Sequence, residues 1–112
     1  MRKVLLAAMA CVLLASITFA APGAGVYLHG DNARKFAKMT EWGMKPIEAI
    51  QAATINAADL LGWSANVGAL VTGHFADIIA VSGDPLTDVR VLEAVKFVMK
   101  GGTVVRNELA AK

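Results

Sequence analysis

The chain has 112 residues, 56% of them hydrophobic, with eleven basic and nine acidic side chains. Two of the basic ones, Arg2 and Lys3, sit at the N-terminus; beyond them the signs balance, so the alkaline pI of 8.9 gives no support to a nucleic-acid or anionic-membrane partner. This length holds one small domain at most, no tract repeats, and a lone cysteine, Cys11, excludes an internal disulfide.

The first element in chain order is an N-terminal targeting segment. Arg2 and Lys3 precede an unbroken apolar run from Val4 to Ala15, and small residues Ala20 and Ala21 follow just before Pro22. A positive start, an apolar core and a small-residue cleavage site are the marks of a secretory signal, with Thr18-Phe19-Ala20 as the cleavage signal. Residues 1–20 are therefore expected to direct the protein to the periplasm or outside the cell. An uncleaved anchor needs about 20 apolar residues to cross a bilayer, which this run barely supplies, and no stable membrane anchor is expected. A lipoprotein reading of Cys11 would leave too short an apolar core before the cysteine.

Pro22 to Gly30 reads as an irregular, Gly-rich stretch. Asp31 or Asn32 can then cap a helix through a side-chain oxygen, with Ala33, Phe36, Ala37 and Thr40 at helical spacing and Gly43 in the position that closes it. Pro46 suits the first turn of a second helix. Its stripe of Ile50, Ala53, Thr54, Ala57 and Leu61 predicts one continuous helix, closed by Gly62. After Gly62 the period shortens. Phe75 to Val81 reads as a buried strand, and Val95–Lys100 with Thr103–Arg106 reads as a β-hairpin turning at Gly101-Gly102. Helices first and strands second do not make an alternating α/β domain complete in itself.

Residue chemistry offers few candidates. The only histidines are His29 and His74. His29 with Asp31, or His74 with Asp77, could supply two metal ligands, but a catalytic zinc usually takes three protein ligands and a water. Asp31 is more simply a cap and His74 a surface side chain. No Gly-x-Ser-x-Gly or Gly-Lys-Ser/Thr motif is present. Glu41 and Glu48 read as solvated. Trp42 and Trp63 read as packing anchors at helix ends, and Met39, Met44 and Met99 as core filler. On these grounds the chain is an α/β piece without an assigned chemistry.

Three segments in order nevertheless resemble one family. Ala24-Gly25-Val26-Tyr27-Leu28-His29-Gly30-Asp31-Asn32-Ala33-Arg34, the helix from Gly43 to Gly62, and the C-terminal motifs Gly68–Ile79, Gly83-Asp84-Pro85-Leu86 and Val98–Gly102 are similar to metal-dependent amidohydrolases. The imidazolonepropionase-like and Xaa-Pro dipeptidase-like members resemble it most. The resemblance spans about residues 24–106 and implies an α/β fragment. Residues 21–62 would be the last helices of a (β/α)8 barrel, and residues 63–112 C-terminal strands of a small β-sandwich.

Complete members of the family carry one or two divalent metals, zinc among them, and hydrolyse amide, peptide or cyclic imide bonds. An aspartate after the last barrel strand ligates metal and shuttles a proton; here Gly23 stands in its place. The early His-x-His pair, the bridging lysine and the two later histidines have no counterpart. The resemblance therefore transfers no catalytic residue and no metal ligand. It leaves His29, Asp31 and Asn32 as substrate-binding candidates facing a small amide or peptide.

The function so implied is that of an exported hydrolase of non-ester C–N bonds, truncated and inactive alone, with exposed apolar surface favouring self-association. The alternatives are a small non-catalytic periplasmic binding or assembly domain, and a split enzyme completed by a separate chain.

Overall fold

The computed structural model describes residues 4–8 and 31–109. The expectations for Cys11, the cleavage site at 18–20, Gly23 and His29 lie outside the described residues, and so does most of the 1–20 segment.

The first helix, α1 (Arg34–Glu41), forms as expected, but not by the expected cap. Ala33, not Asp31 or Asn32, is the N-cap, and no side chain caps the helix. Ala33 is already helical, so the preceding turn runs straight into α1. The main-chain carbonyls of Asp31 and Asn32 accept from Arg34 and Lys35 at 3.0 and 3.3 Å. They satisfy first-turn donors that a side chain would otherwise take.

Both helix ends at a glycine use one motif. Gly43 N–H donates to Thr40 and Met44 N–H to Met39; Gly62 N–H donates to Asp59 and Trp63 N–H to Ala58. Paired bonds of this kind require a left-handed residue at the turn, and Gly43 and Gly62 have φ of +98° and +70°.

The predicted second helix is two helices: α2 (Pro46–Ala53) and α3 (Ile55–Leu60). Pro46 opens α2, and Glu48 Oε2 accepts the Lys45 N–H at 3.0 Å, so Glu48 is not merely solvated. The break falls at Thr54, whose φ of −122° and ψ of −94° leave the helical region. Its hydroxyl donates to the Ile50 carbonyl at 2.8 Å, a back-bond that bends helices. Periodicity alone could not reveal this interruption, because Ala53, Thr54 and Ala57 are all buried. Leu61, the last member of the expected stripe, is partly exposed at 37%.

The sheet contains β1 (Val4–Ala8), β2 (Ile78–Ser82), β3 (Val95–Lys100) and β4 (Thr103–Asn107) in the order β1-β2-β3-β4, every neighbour antiparallel. The hairpin β3–β4 turns at Gly101-Gly102 as predicted. The strand expected from Phe75 starts three residues later, at Ile78. Phe75 N–H is instead held by the Asn66 carbonyl at 2.8 Å, and its side chain is exposed. Ladder bulges fall at Ala80/Val81 against β3 and at Val98/Met99 against β4. The placement of Val4–Ala8 as a strand is a departure too. Its run of apolar residues reads equally well as a signal core or as a buried strand, and here five of them pair with β2.

Alternation directs Ile79 and Val81 toward the helices. There they join Phe36 and Ala37 of α1, Ala49 and Ala53 of α2, and Val89 and Leu92 of a 3-10 helix (Val89–Glu93). Phe36 and Val81 are each about 1% exposed, and they form the centre of this core. A second cluster of Ala57, Ala58 and Val67 fixes α3 against the following loop. Alanine on the helix faces lets these elements approach closely. Among the described residues no helix is long and apolar enough to cross a membrane.

Candidate functional site

The acidic side chains that could serve a hydrolytic site are mostly engaged in the fold. Asp77 is the clearest case. Its Oδ1 accepts the Gly101 N–H at 2.7 Å, and its Oδ2 lies 3.6 Å from Lys100 Nζ. Next to it, Gly102 N–H donates to the Ala76 carbonyl at 3.1 Å. Asp77 thus latches the β3–β4 turn to the segment entering β2 across 24 residues of sequence. Sequence reading offered it as a metal partner of His74; the carboxylate is spent on the hairpin instead. The Gly-Gly turn was visible in the sequence, but not that its free N–H would meet an acid so far away.

Asp84 and Asp88 are also turn residues. Asp84 Oδ1 accepts the Leu86 N–H at 3.0 Å, and its carbonyl accepts from Thr87 and Asp88. Asp88 Oδ1 accepts the Arg90 N–H at 3.0 Å and caps the 3-10 helix. Here short carboxylates replace backbone acceptors, as they commonly do in turns. The Gly83-Asp84-Pro85-Leu86 motif is accordingly a folded corner, with Pro85 fully buried.

His74 is not the surface side chain expected. It is half-buried, and its Nδ1 is shielded from solvent without a hydrogen-bond partner. Nothing in the surrounding geometry joins it to a second ligand. Among the described residues no three His, Cys, Asp or Glu side chains are grouped to hold a metal ion. The donors among the described residues alone do not make up a zinc centre, which needs about three protein ligands.

Of the three substrate-binding candidates, His29 lies outside the described residues. Asp31 and Asn32 sit side by side in the turn before α1, both half-buried. Asp31 Oδ2 also meets Arg34 Nη1 at 3.4 Å, so its charge is partly compensated. The pair leaves polar side chains at the entry to α1 but no charge relay.

Two other carboxylates stand in ion-pair networks. Lys38, hydrogen-bonded to Glu41 at 2.8 Å, holds the Glu41 carboxyl below its usual range, and Arg90 from the 3-10 helix adds to this at 3.5 Å. Arg106, hydrogen-bonded to Glu108, lowers that carboxyl, with Lys96 assisting at 3.6 Å. Burial of the Lys35 side chain lowers its pKa.

The tryptophans correct another expectation. Trp42 is 85% exposed and Trp63 is 50% exposed, so neither is a packing anchor within the described residues. Of the methionines, Met39 packs on the core, while Met44 is exposed and Met99 half-buried. With Leu60 at 88% and Phe75 at 58%, the helix ends and the loop before β2 present large apolar side chains to solvent.

Comparison with known proteins agrees with this scaffold. Residues 13–105 match the amidohydrolase family. A 64-residue stretch is 47% identical to ochratoxinase of Aspergillus niger, covering 54% of this chain and 13% of the ochratoxinase. A 40-residue stretch is 50% identical to imidazolonepropionase of Symbiobacterium thermophilum, covering 36% of this chain and 9% of that protein. A crystal structure of a Xaa-Pro dipeptidase with methionine bound in its active site superposes with a TM-score of 0.72 at 43% identity. It covers 75% of this chain and 21% of the dipeptidase. The chain therefore spans about an eighth of the length of the ochratoxinase it matches. With a family match over most of its length and this architecture beside it, the chain belongs to the amidohydrolase family.

Proposed function

We propose that this chain is an exported amidohydrolase-family protein that carries family scaffold without a catalytic centre of its own. Its parentage is a hydrolase of amide, peptide or related C–N bonds; alone it turns over no substrate. The observation that carries this reading is Gly23. It occupies the position where the family resemblance calls for an aspartate, and a glycine neither ligates metal nor moves a proton. The donor set agrees: only His29 and His74 are present as histidines, and Asp77, Asp84 and Asp88 are engaged in turns.

Export rests on residues 1–20, with their basic start, apolar core and small-residue end. The family match begins at residue 13 and so overlaps this segment. The exposed Trp42, Leu60, Trp63 and Phe75 support self-association. Zinc belongs to complete relatives in this reading, and no step is assigned to it here. His29, Asp31 and Asn32 remain as positions that would line a small amide or peptide in a complete enzyme.

The test is a hydrolysis assay of the full chain with zinc, using Xaa-Pro dipeptides and N-acyl amino acids. Turnover equal to that of zinc in buffer is expected. Chelator-sensitive turnover above that level would refute the inactivity.

A further inference from the structure

The two edges of the sheet are built differently. The β4 edge is guarded by charge: Arg106 lies within it, Glu108 follows it, and Glu108 also pairs with Lys96 of β3. Charged groups on an edge discourage further strand pairing. By contrast β2, Ile-Ile-Ala-Val-Ser, carries no charge, and three of its five residues are buried. Uncovered, it would be a short apolar edge with free backbone donors and acceptors. Val4–Ala8 covers it, in register from Val4 opposite Ser82 to Ala8 opposite Ile78. Those five residues are also the start of the apolar run read as the signal core.

We propose that Val4–Ala8 serves two exclusive ends, as apolar core of the export segment before folding and as edge strand of the sheet after it. Folding thereby withholds the segment from the export machinery. This inference rests on the export reading of residues 1–20. The apolar core of an export signal must be free of the rest of the chain to be read, whereas five residues of β1 are paired with β2. One segment cannot satisfy both at once. Chains that fold quickly would keep their N-terminus, and chains held unfolded would lose it.

The experiment has two arms, both on the full chain. The first replaces Cys11 with serine and introduces Val4→Cys with Ser82→Cys, or Leu5→Cys with Val81→Cys. Paired residues on antiparallel strands lie about 4.5–5.5 Å apart between Cα atoms, within disulfide range. Oxidation of the purified protein is expected to give an intramolecular cross-link in at least one pair. The out-of-register pair Val4→Cys with Ile78→Cys is expected to give none. Cross-linking equal in all three, or in none, overturns the strand.

The second arm follows N-terminal shortening by mass in a bacterial host. Phe36→Ala and Leu92→Ala destabilise the folded core without touching residues 1–20. Each is expected to raise the shortened fraction severalfold over the unaltered chain. An unchanged fraction overturns the competition. If no chain is shortened at all while the in-register cross-link forms, the export reading fails and the competition with it, while β1 stands.

Discussion

Single side chains do unequal work in this molecule, and Asp77 does the most among the acids. Its carboxylate accepts a main-chain N–H of the hairpin turn and faces Lys100, with only 17% of the side chain exposed. Removing a charged acceptor of this kind costs about 1–3 kcal/mol. Asp77→Ala is therefore expected to lose that amount in urea unfolding, and Asp77→Asn, which keeps an oxygen at the same position, to lose less. Equal losses would show that the amide cannot serve.

Gly68 is the sharper steric case. Its φ is +97°, and an added Cβ would lie 2.8 Å from the Cβ of Ala58 and 3.1 Å from the Thr54 carbonyl oxygen. Gly62→Ala meets no atom within 4 Å and carries only the left-handed backbone cost of about 1–2 kcal/mol. Gly68→Ala adds overpacking of about 1–3 kcal/mol, so it is expected to unfold at lower urea than Gly62→Ala. The presence of these glycines was legible in the sequence. Which of them faces a neighbour was not, because that depends on where the loop after α3 meets the Thr54 break.

At the scale of elements, the fold is held by α1 and α2 packing on β2. Periodicity foresaw α1, the opening of α2 at Pro46 and the whole β3–β4 hairpin, since each is marked by local signals: a helical stripe, a proline, a pair of glycines. It missed the α2–α3 break, where the Thr54 hydroxyl competes with the helix for a carbonyl. It also placed the start of β2 too early, since Phe75 is apolar yet turned to solvent. The candidate site was legible only as a set of positions, because His29 and Gly23 are fixed by resemblance and Asp77 by a contact distant in sequence.

The ion pairs between elements give a pH dependence of defined sign. Lys38 and Arg90 hold the Glu41 carboxyl below its ordinary value of 4.5, and Arg106 and Lys96 do the same for Glu108. A depressed folded-state pKa contributes stability that is present above the unfolded value and lost as pH falls through the folded one. Stability is thus expected to decline below about pH 4.5, and Glu41→Gln with Glu108→Gln to flatten that decline in denaturation midpoints. Both carboxylates are well solvated, so the effect is small and screened by salt. An equal decline in the double variant would contradict the assignment.

On the scale of the whole molecule, the larger core of the described residues must hold the sheet against α1, α2 and the 3-10 helix. Phe36 lies at its centre, and large-to-small changes of this kind cost about 3–5 kcal/mol. That is comparable with the total stability of many small domains, so Phe36→Ala is expected to abolish cooperative unfolding by circular dichroism. Trp42, Leu60, Trp63 and Phe75 meanwhile stand exposed outside that core.

In the function proposed above, the family scaffold carries no metal centre of its own. Equilibrium titration of the full chain with zinc, followed by calorimetry and by mass under native conditions, tests it most directly. No stoichiometric tight site is expected, only weak binding lost on dilution and unaffected by His74→Leu. One zinc retained per chain, released by chelator with loss of folded structure, would contradict it.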